Sequence, residues 1–153
     1  HYEQICGLKF RISTTAFFQI NTISAERLYE TAGEWAINGI TDKNIVLFDI
    51  CCGTGTIGLC IAKQYRKNIK KVIGLELIQD AVKDAKFNAE LNNFDNAQFI
   101  AGKAEETLEK VLNEQVDINN DYCVAILDPP RCGVHKDICK LIRKQQRIER
   151  RPG

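Results

Sequence analysis

Residues 45–58, IVLFDICCGTGTIG, decide how this chain is read. A β-branched and aromatic run ends on an acid, Asp49, then passes through a turn holding Gly53 and Gly55 into a helix-forming stretch that begins near Thr56. Strand, glycine turn and helix in that order let backbone N–H groups and a helix N-terminus close on a nucleotide-type ligand. Gly53 and Gly55 are expected to give the backbone room to approach it, and Gly58 to let helix pack on strand.

Two readings fit the loop. As G-x-G-x-x-G it suits a dinucleotide; as D-x-x-x-G-x-G, counted from Asp49, it suits the S-adenosylmethionine loop of methyltransferases. Glu76 strengthens both, because it ends the next strand 18 residues after Gly58. An acid there accepts hydrogen bonds from both ribose hydroxyls of an adenosine, whichever cofactor carries it.

Around the loop, strand-like and helix-like runs alternate, the pattern of a parallel sheet covered by helices. An extended segment is expected over 9–12 and a helix over 24–38, with Ala25, Leu28, Tyr29, Ala32 and Ala36 at helical spacing and Gly39 just past its end. Strands follow over 45–50, 71–76, 98–101 and 123–127, separated by helices over 56–66, 80–91 and 104–114. The unbroken apolar run at 45–50 predicts a strand buried on both faces. A last helix is expected over 137–150. The 153 residues suit one α/β domain, with a lead-in strand and helix over 1–40 and a cofactor-binding core over 41–150.

Composition narrows the function classes. Hydrophobic residues at 44% and charged residues at 27% are ordinary for a globular protein. No apolar run approaches the ~20 residues of a membrane span, and no charged-then-apolar leader is visible. The chain contains no Met and starts at His1, so we read it as excised from something longer. Seven cysteines without C-x-x-C spacing, beside only two histidines, argue against a metal cluster. An odd count argues against full disulfide pairing, so most cysteines read as small apolar residues in a reducing, intracellular compartment, with cytoplasm and nucleus not distinguished. Net charge is +1, but residues 136–151 hold seven Lys/Arg against two acids, a helix face that suits phosphates or plain solvent.

Asp128-Pro129-Pro130-Arg131 separates the two readings of the loop. Consecutive prolines fix φ and remove two donors, so the chain after the fourth parallel strand is stiff and holds Asp128 at the carboxyl edge where α/β folds bind ligands. A dehydrogenase has no need of that rigid acid, whereas methyltransferases acting on bases often carry Asp or Asn before Pro-Pro. Enzymes that methylate exocyclic amines usually follow it with an aromatic residue, and Arg131 in that place points away from amino methylation.

The motifs together, FFQ-x-N at 17–21 before Ala25-Glu26 and Leu28-Tyr29, DICCGTGTIGL at 49–59, VIGLEL at 72–77, AV-x-DA-x-x-NA at 81–89 and DPPR-x-G-x-H at 128–135, resemble the RNA uracil-5-methyltransferase family, its eukaryotic tRNA branch most of all. The likeness runs from about residue 8 to residue 143. It implies a Rossmann-like core that transfers a methyl group from S-adenosylmethionine to C5 of a uridine in RNA, with tRNA the substrate that the branch implies. It further implies that Gln19, Asp49, Cys51, Gly53, Gly55, Thr56, Glu76, Lys103 and Asp128 bind or border the cofactor, and that Arg131, His135 and Arg143 meet RNA. His135 also fits a helix cap.

Uracil C5 is a weak nucleophile until something adds to C6. In the family a cysteine thiolate does so, C5 then attacks the methyl sulfonium, and a base removes the C5 proton before the cysteine leaves. The resemblance places that cysteine after a further strand, in a Ser-Cys-Asn-Pro type motif, and the base nearer the C-terminus; neither motif occurs here. Cys132 lies four residues after Asp128 and reads as a small residue in its slot rather than a substitute nucleophile. The expectation is a cofactor-binding chain without turnover of its own, with a sheet edge open to self-association. A methyltransferase for another nucleobase position and a non-catalytic RNA-binding module stay open as alternatives.

Overall fold

The computed structural model describes residues 1–12, 22–41 and 44–127. Along them run β1 (Tyr2–Ile5), β2 (Leu8–Arg11), α1 (Thr22–Ile37), β3 (Ile45–Ile50), α2 (Thr56–Gln64), β4 (Ile69–Glu76), α3 (Gln79–Leu91), β5 (Ala97–Ala101), α4 (Ala104–Gln115) and β6 (Tyr122–Leu127). The expected helix over 137–150 lies outside the described residues.

β3 sits at the centre of a parallel sheet of order β5-β4-β3-β6, and each of its six residues is buried. Alternation divides them. Ile45 and Leu47 join the larger core, shared with α1, α2, α3 and the β1–β2 pair. Val46, Phe48 and Ile50 join a smaller core closed by Leu108 and Val111 of α4. Burying each such large apolar side chain contributes about 1.5–3 kcal/mol. With helices on both faces and β4 and β6 on opposite sides of β3, the order reverses beside β3, where open α/β sheets bind ligands.

Sequence patterning placed the parallel strands and their helices within two residues of the observed ends. It missed β1. Tyr2–Ile5 pairs antiparallel with β2 across a two-residue turn, Ile5 opposite Leu8. Cys6 and Gly7 both have positive φ, 52° and 74°, as a type I′ turn requires. Cys stands where Asn or Asp usually signals that turn, and Glu3-Gln4 is polar, so neither cue announced a hairpin. The helix starting at Thr22 also departs from expectation. Ala25 and Tyr29 are buried, but Leu28 is 56% exposed, because the buried stripe turns toward Gly33 and Ile37 instead.

The hairpin docks through its free edge. Lys9 and Arg11 turn their N–H and C=O groups away from β1 and toward α3. Asn92 accepts from Lys9 N at 3.0 Å and donates to Lys9 O at 2.7 Å. Asn88 accepts from Arg11 N at 2.6 Å and donates to Arg11 O at 3.1 Å. Four residues of helix rise about 6 Å and two of strand about 6.8 Å, so two amides one turn apart stand in for a neighbouring strand. α3 ends at a Schellman motif: Asn93 has φ 61°, Asn93 N donates to Glu90 O and Phe94 N to Ala89 O.

Candidate functional site

Three strand ends meet at the carboxyl edge of the sheet: the loop after β3, Glu76 and Leu77 after β4, and Gly102 and Lys103 after β5. Glu76 organises them. One carboxylate oxygen accepts from Gly53 N at 3.1 Å and the other from Ile78 N at 2.9 Å. Its carbonyl accepts from Gly102 N at 3.0 Å. Each carboxylate oxygen keeps a second lone-pair position, which suits a vicinal diol.

The loop's internal bonds explain its sequence. Asp49 shares the side of β3 that carries Ile45 and Leu47, so its carboxylate faces α2, where it accepts from Gly58 N at 3.0 Å. It is 1% exposed. Asp49 therefore shapes the loop from below. A Cβ on Gly58 would lie 2.7 Å from the Asp49 carboxylate oxygen, which is why helix and strand can close only over glycine. Gly55 has a packing reason of its own. At φ 81° its Cβ would meet Phe99 at 2.9 Å, so glycine here makes room for a core ring. Phe99 also lies over Gly74. Within the loop, Gly53 combines φ in the left-handed region, 55°, with open space where a Cβ would stand. It fits close approach of a ligand to backbone.

Thr54 and Thr56 are buried and their hydroxyls share a hydrogen bond of 2.9 Å. Thr56 thus begins α2 from within the loop. Cys51 is half-buried with φ 62°, a left-handed conformation unusual for a residue with a Cβ. Cys52 N continues the sheet ladder to Leu75 O at 3.1 Å, and its side chain is buried. Burial pushes the Cys52 thiol well up, and the carboxylates of Asp49 and Glu76 push the same way. Burial likewise raises Cys60. Both stay protonated thiols, poor nucleophiles and ordinary core residues. Among the described residues no group of His, Cys, Asp and Glu is arranged to hold a metal.

Lys103 is exposed at the N-cap of α4, with its carbonyl accepting from Thr107 N at 3.0 Å. Its position after β5 puts it one strand beyond Glu76, whose register partner is Ala101. Two residues were missed by motif reasoning. Leu77 and Ile78 are 65% and 57% exposed beside the Glu76 carboxylate, apolar surface suited to a planar base. The signal was present, an apolar pair directly after the strand-end acid. Gln19, Asp128, Arg131, Cys132, His135 and Arg143 lie outside the described residues.

A parallel sheet with its glycine loop after the central strand, a buried acid under that loop and a second acid clamping it define a nucleotide-cofactor domain of the methyltransferase type. Residues 41–149 match the family described as Methyltransferase domain, and the chain belongs to it. It is 43% identical over 148 residues to the tRNA (uracil-5-)-methyltransferase homolog A of Mus musculus, covering 97% of this chain and 22% of that protein. To homolog B of Homo sapiens it is 42% identical over 147 residues, 96% of this chain and 27% of that one. The chain thus spans about a quarter of the length of these relatives. Among solved structures, the Pyrococcus abyssi tRNA (uracil-54, C5)-methyltransferase in complex with S-adenosyl-L-homocysteine superposes with a TM-score of 0.71 at 25% identity, over 95% of this chain and 32% of that one.

Proposed function

We propose that this domain binds S-adenosylmethionine over the carboxyl ends of β3 and β4, and that the protein it represents methylates C5 of a uridine in tRNA. The observation that carries the cofactor reading is the Glu76 carboxylate, fixed by Gly53 N and Ile78 N beside the open face of Gly53. The residues present fit the group. Glu76 would take the ribose hydroxyls, Leu77 and Ile78 the faces of the adenine, and Gly53 the close pass of the chain. Asp49 and Thr56 would act through the shape of the loop, and Cys51 and Lys103 would border the ligand. Gln19 and Asp128 complete the set by their place in the motifs. When bound, the cofactor supplies an electrophilic methyl on sulfur; the domain's part is to hold and orient it.

The names of the tRNA (uracil-5-)-methyltransferase relatives support uridine C5 as the acceptor. Basic residues Arg131, His135 and Arg143 would meet the RNA backbone. Burial keeps Cys52 and Cys60 as protonated thiols, which suits neither to be the attacking thiolate, and the family's cysteine motif does not occur in these residues. Among the described residues β6 is the last strand of the sheet order, and pairing of two chains along the sheet edge is a further expectation. A monodisperse monomer in analytical ultracentrifugation would count against it.

Calorimetric titration tests the cofactor reading. S-adenosylhomocysteine should bind and NADH should not, and Glu76→Ala should weaken binding at least tenfold. Equal binding of both ligands, or none by a chain that circular dichroism shows folded, would overturn it. Methyl transfer to RNA by the 153 residues alone would overturn the assignment of the nucleophile elsewhere.

A further inference from the structure

The cofactor loop is tied from behind to the N-terminal hairpin through one side chain. Asn88, on α3, is fully buried. Its oxygen accepts from Arg11 N, and its two amide hydrogens go to Arg11 O and to Thr54 O, each at 3.1 Å. All of its donors are therefore spent, one on the hairpin and one on the loop. Thr54 is itself buried and holds Thr56 by its hydroxyl, so the carbonyl that Asn88 captures belongs to the residue between Gly53 and Gly55.

We propose that Asn88 is a positioning residue for the cofactor site, setting the loop at Thr54 and coupling its conformation to docking of the hairpin. The inference rests on the cofactor reading given above. Three observations carry it. A loop with φ of 62°, 55° and 81° at Cys51, Gly53 and Gly55 does not hold one shape by local preference, so it needs external partners. Glu76 and Asn88 are such partners on its two flanks, the first at Gly53 and the second at Thr54. Arg11, the far end of the relay, is itself fixed by a 3.0 Å contact to Asp84 and by stacking at 3.8 Å over Phe87. Thr54 O is buried, so without Asn88 it has no water to turn to, and the loop must move to satisfy it.

Asn92 provides a control within the same helix. It makes the same pair of bonds to the hairpin one turn along, yet none to the loop. Asn88→Asp keeps the shape and the acceptor for Arg11 N while removing both donors. Asn88→Ala removes all three bonds, whereas Asn92→Ala removes the two bonds to Lys9 and one to Asn88 O at the end of α3, leaving the bond from Asn88 to Thr54 in place. Affinity for S-adenosylhomocysteine would be measured by calorimetry, alongside urea midpoints and amide hydrogen exchange at Gly55 and Gly58 in the ligand-free protein. Asn88→Asp and Asn88→Ala should weaken binding at least tenfold and speed exchange at Gly55 at least tenfold. Asn92→Ala should lower the urea midpoint and leave binding and loop exchange within twofold of wild type.

If Asn92→Ala loses affinity as much as the Asn88 variants, Asn88 acts only through overall stability and the proposal is overturned. Unchanged loop exchange in Asn88→Asp overturns it as well. The exchange readout needs no ligand. A wild-type protein that does not bind S-adenosylhomocysteine therefore sinks the cofactor reading while exchange still decides the role of Asn88. Should Asn88→Ala fail to fold, Asn88→Asp carries the comparison.

Discussion

At the scale of single residues, the glycines of the loop differ in kind although the sequence writes them alike. Gly58→Ala drives a Cβ to 2.7 Å from an Asp49 oxygen and should cost about 1–3 kcal/mol in urea unfolding. Gly53→Ala meets nothing in space and pays only for its φ of 55°, about 1 kcal/mol, while losing affinity for S-adenosylhomocysteine. Reversal of that order, with Gly53→Ala the less stable, would contradict the assigned roles. Buried thiols make a second prediction. The folded state keeps the protons of Cys52 and Cys60 where the unfolded state releases them. Their stabilising share is present below pH 9.0, the ordinary thiol value, and is lost as pH rises above it. The loss is about 1.4 kcal/mol per pH unit for each thiol still protonated in the fold. Cys60→Ala should therefore be less sensitive than wild type when unfolding is compared at about pH 8 and about pH 10.

Elements show where patterning succeeds and where it slips. An unbroken run such as Ile45–Ile50 has one physical solution, a strand covered on both faces, and its place was legible. Helix α1 was legible as a helix, yet its buried face was not, since alanine and glycine are compatible with more than one stripe. Leu28→Ser should change stability by less than about 0.5 kcal/mol, whereas Tyr29→Ala should cost about 3 kcal/mol or more. Similar losses for both in denaturant unfolding would mean that Leu28 is covered in solution. Of the hairpin, β2 was legible as an extended run and β1 was not. Its docking was illegible because its free edge is completed by Asn88 and Asn92, 77 and 83 residues away, where no local signal marks an asparagine as half of a strand pair.

For the whole molecule, sheet order joins the loop, Glu76 and the β5 end into one edge. A ligand that binds only the folded form stabilises it by about 2.7 kcal/mol at a hundredfold excess over its dissociation constant. Saturating S-adenosylhomocysteine should raise the melting temperature of wild type, and the rise should shrink in Glu76→Ala. A shift of equal size in that variant would place the ligand elsewhere. Among the described residues no helix is long and apolar enough to cross a membrane.

By itself the sequence determined the strand, glycine turn and helix of the loop, the strand-end acid Glu76, and the family resemblance, because each is written in neighbouring residues whose backbone demands are local. Only the tertiary structure decided that the Asp49 carboxylate holds Gly58 N beneath the loop, that a Cβ at Gly55 would meet Phe99, and that Asn88 joins hairpin to loop. Those facts depend on which face of a strand meets which helix, and on contacts between residues far apart in the chain. Local pattern carries no record of such contacts until the core has closed.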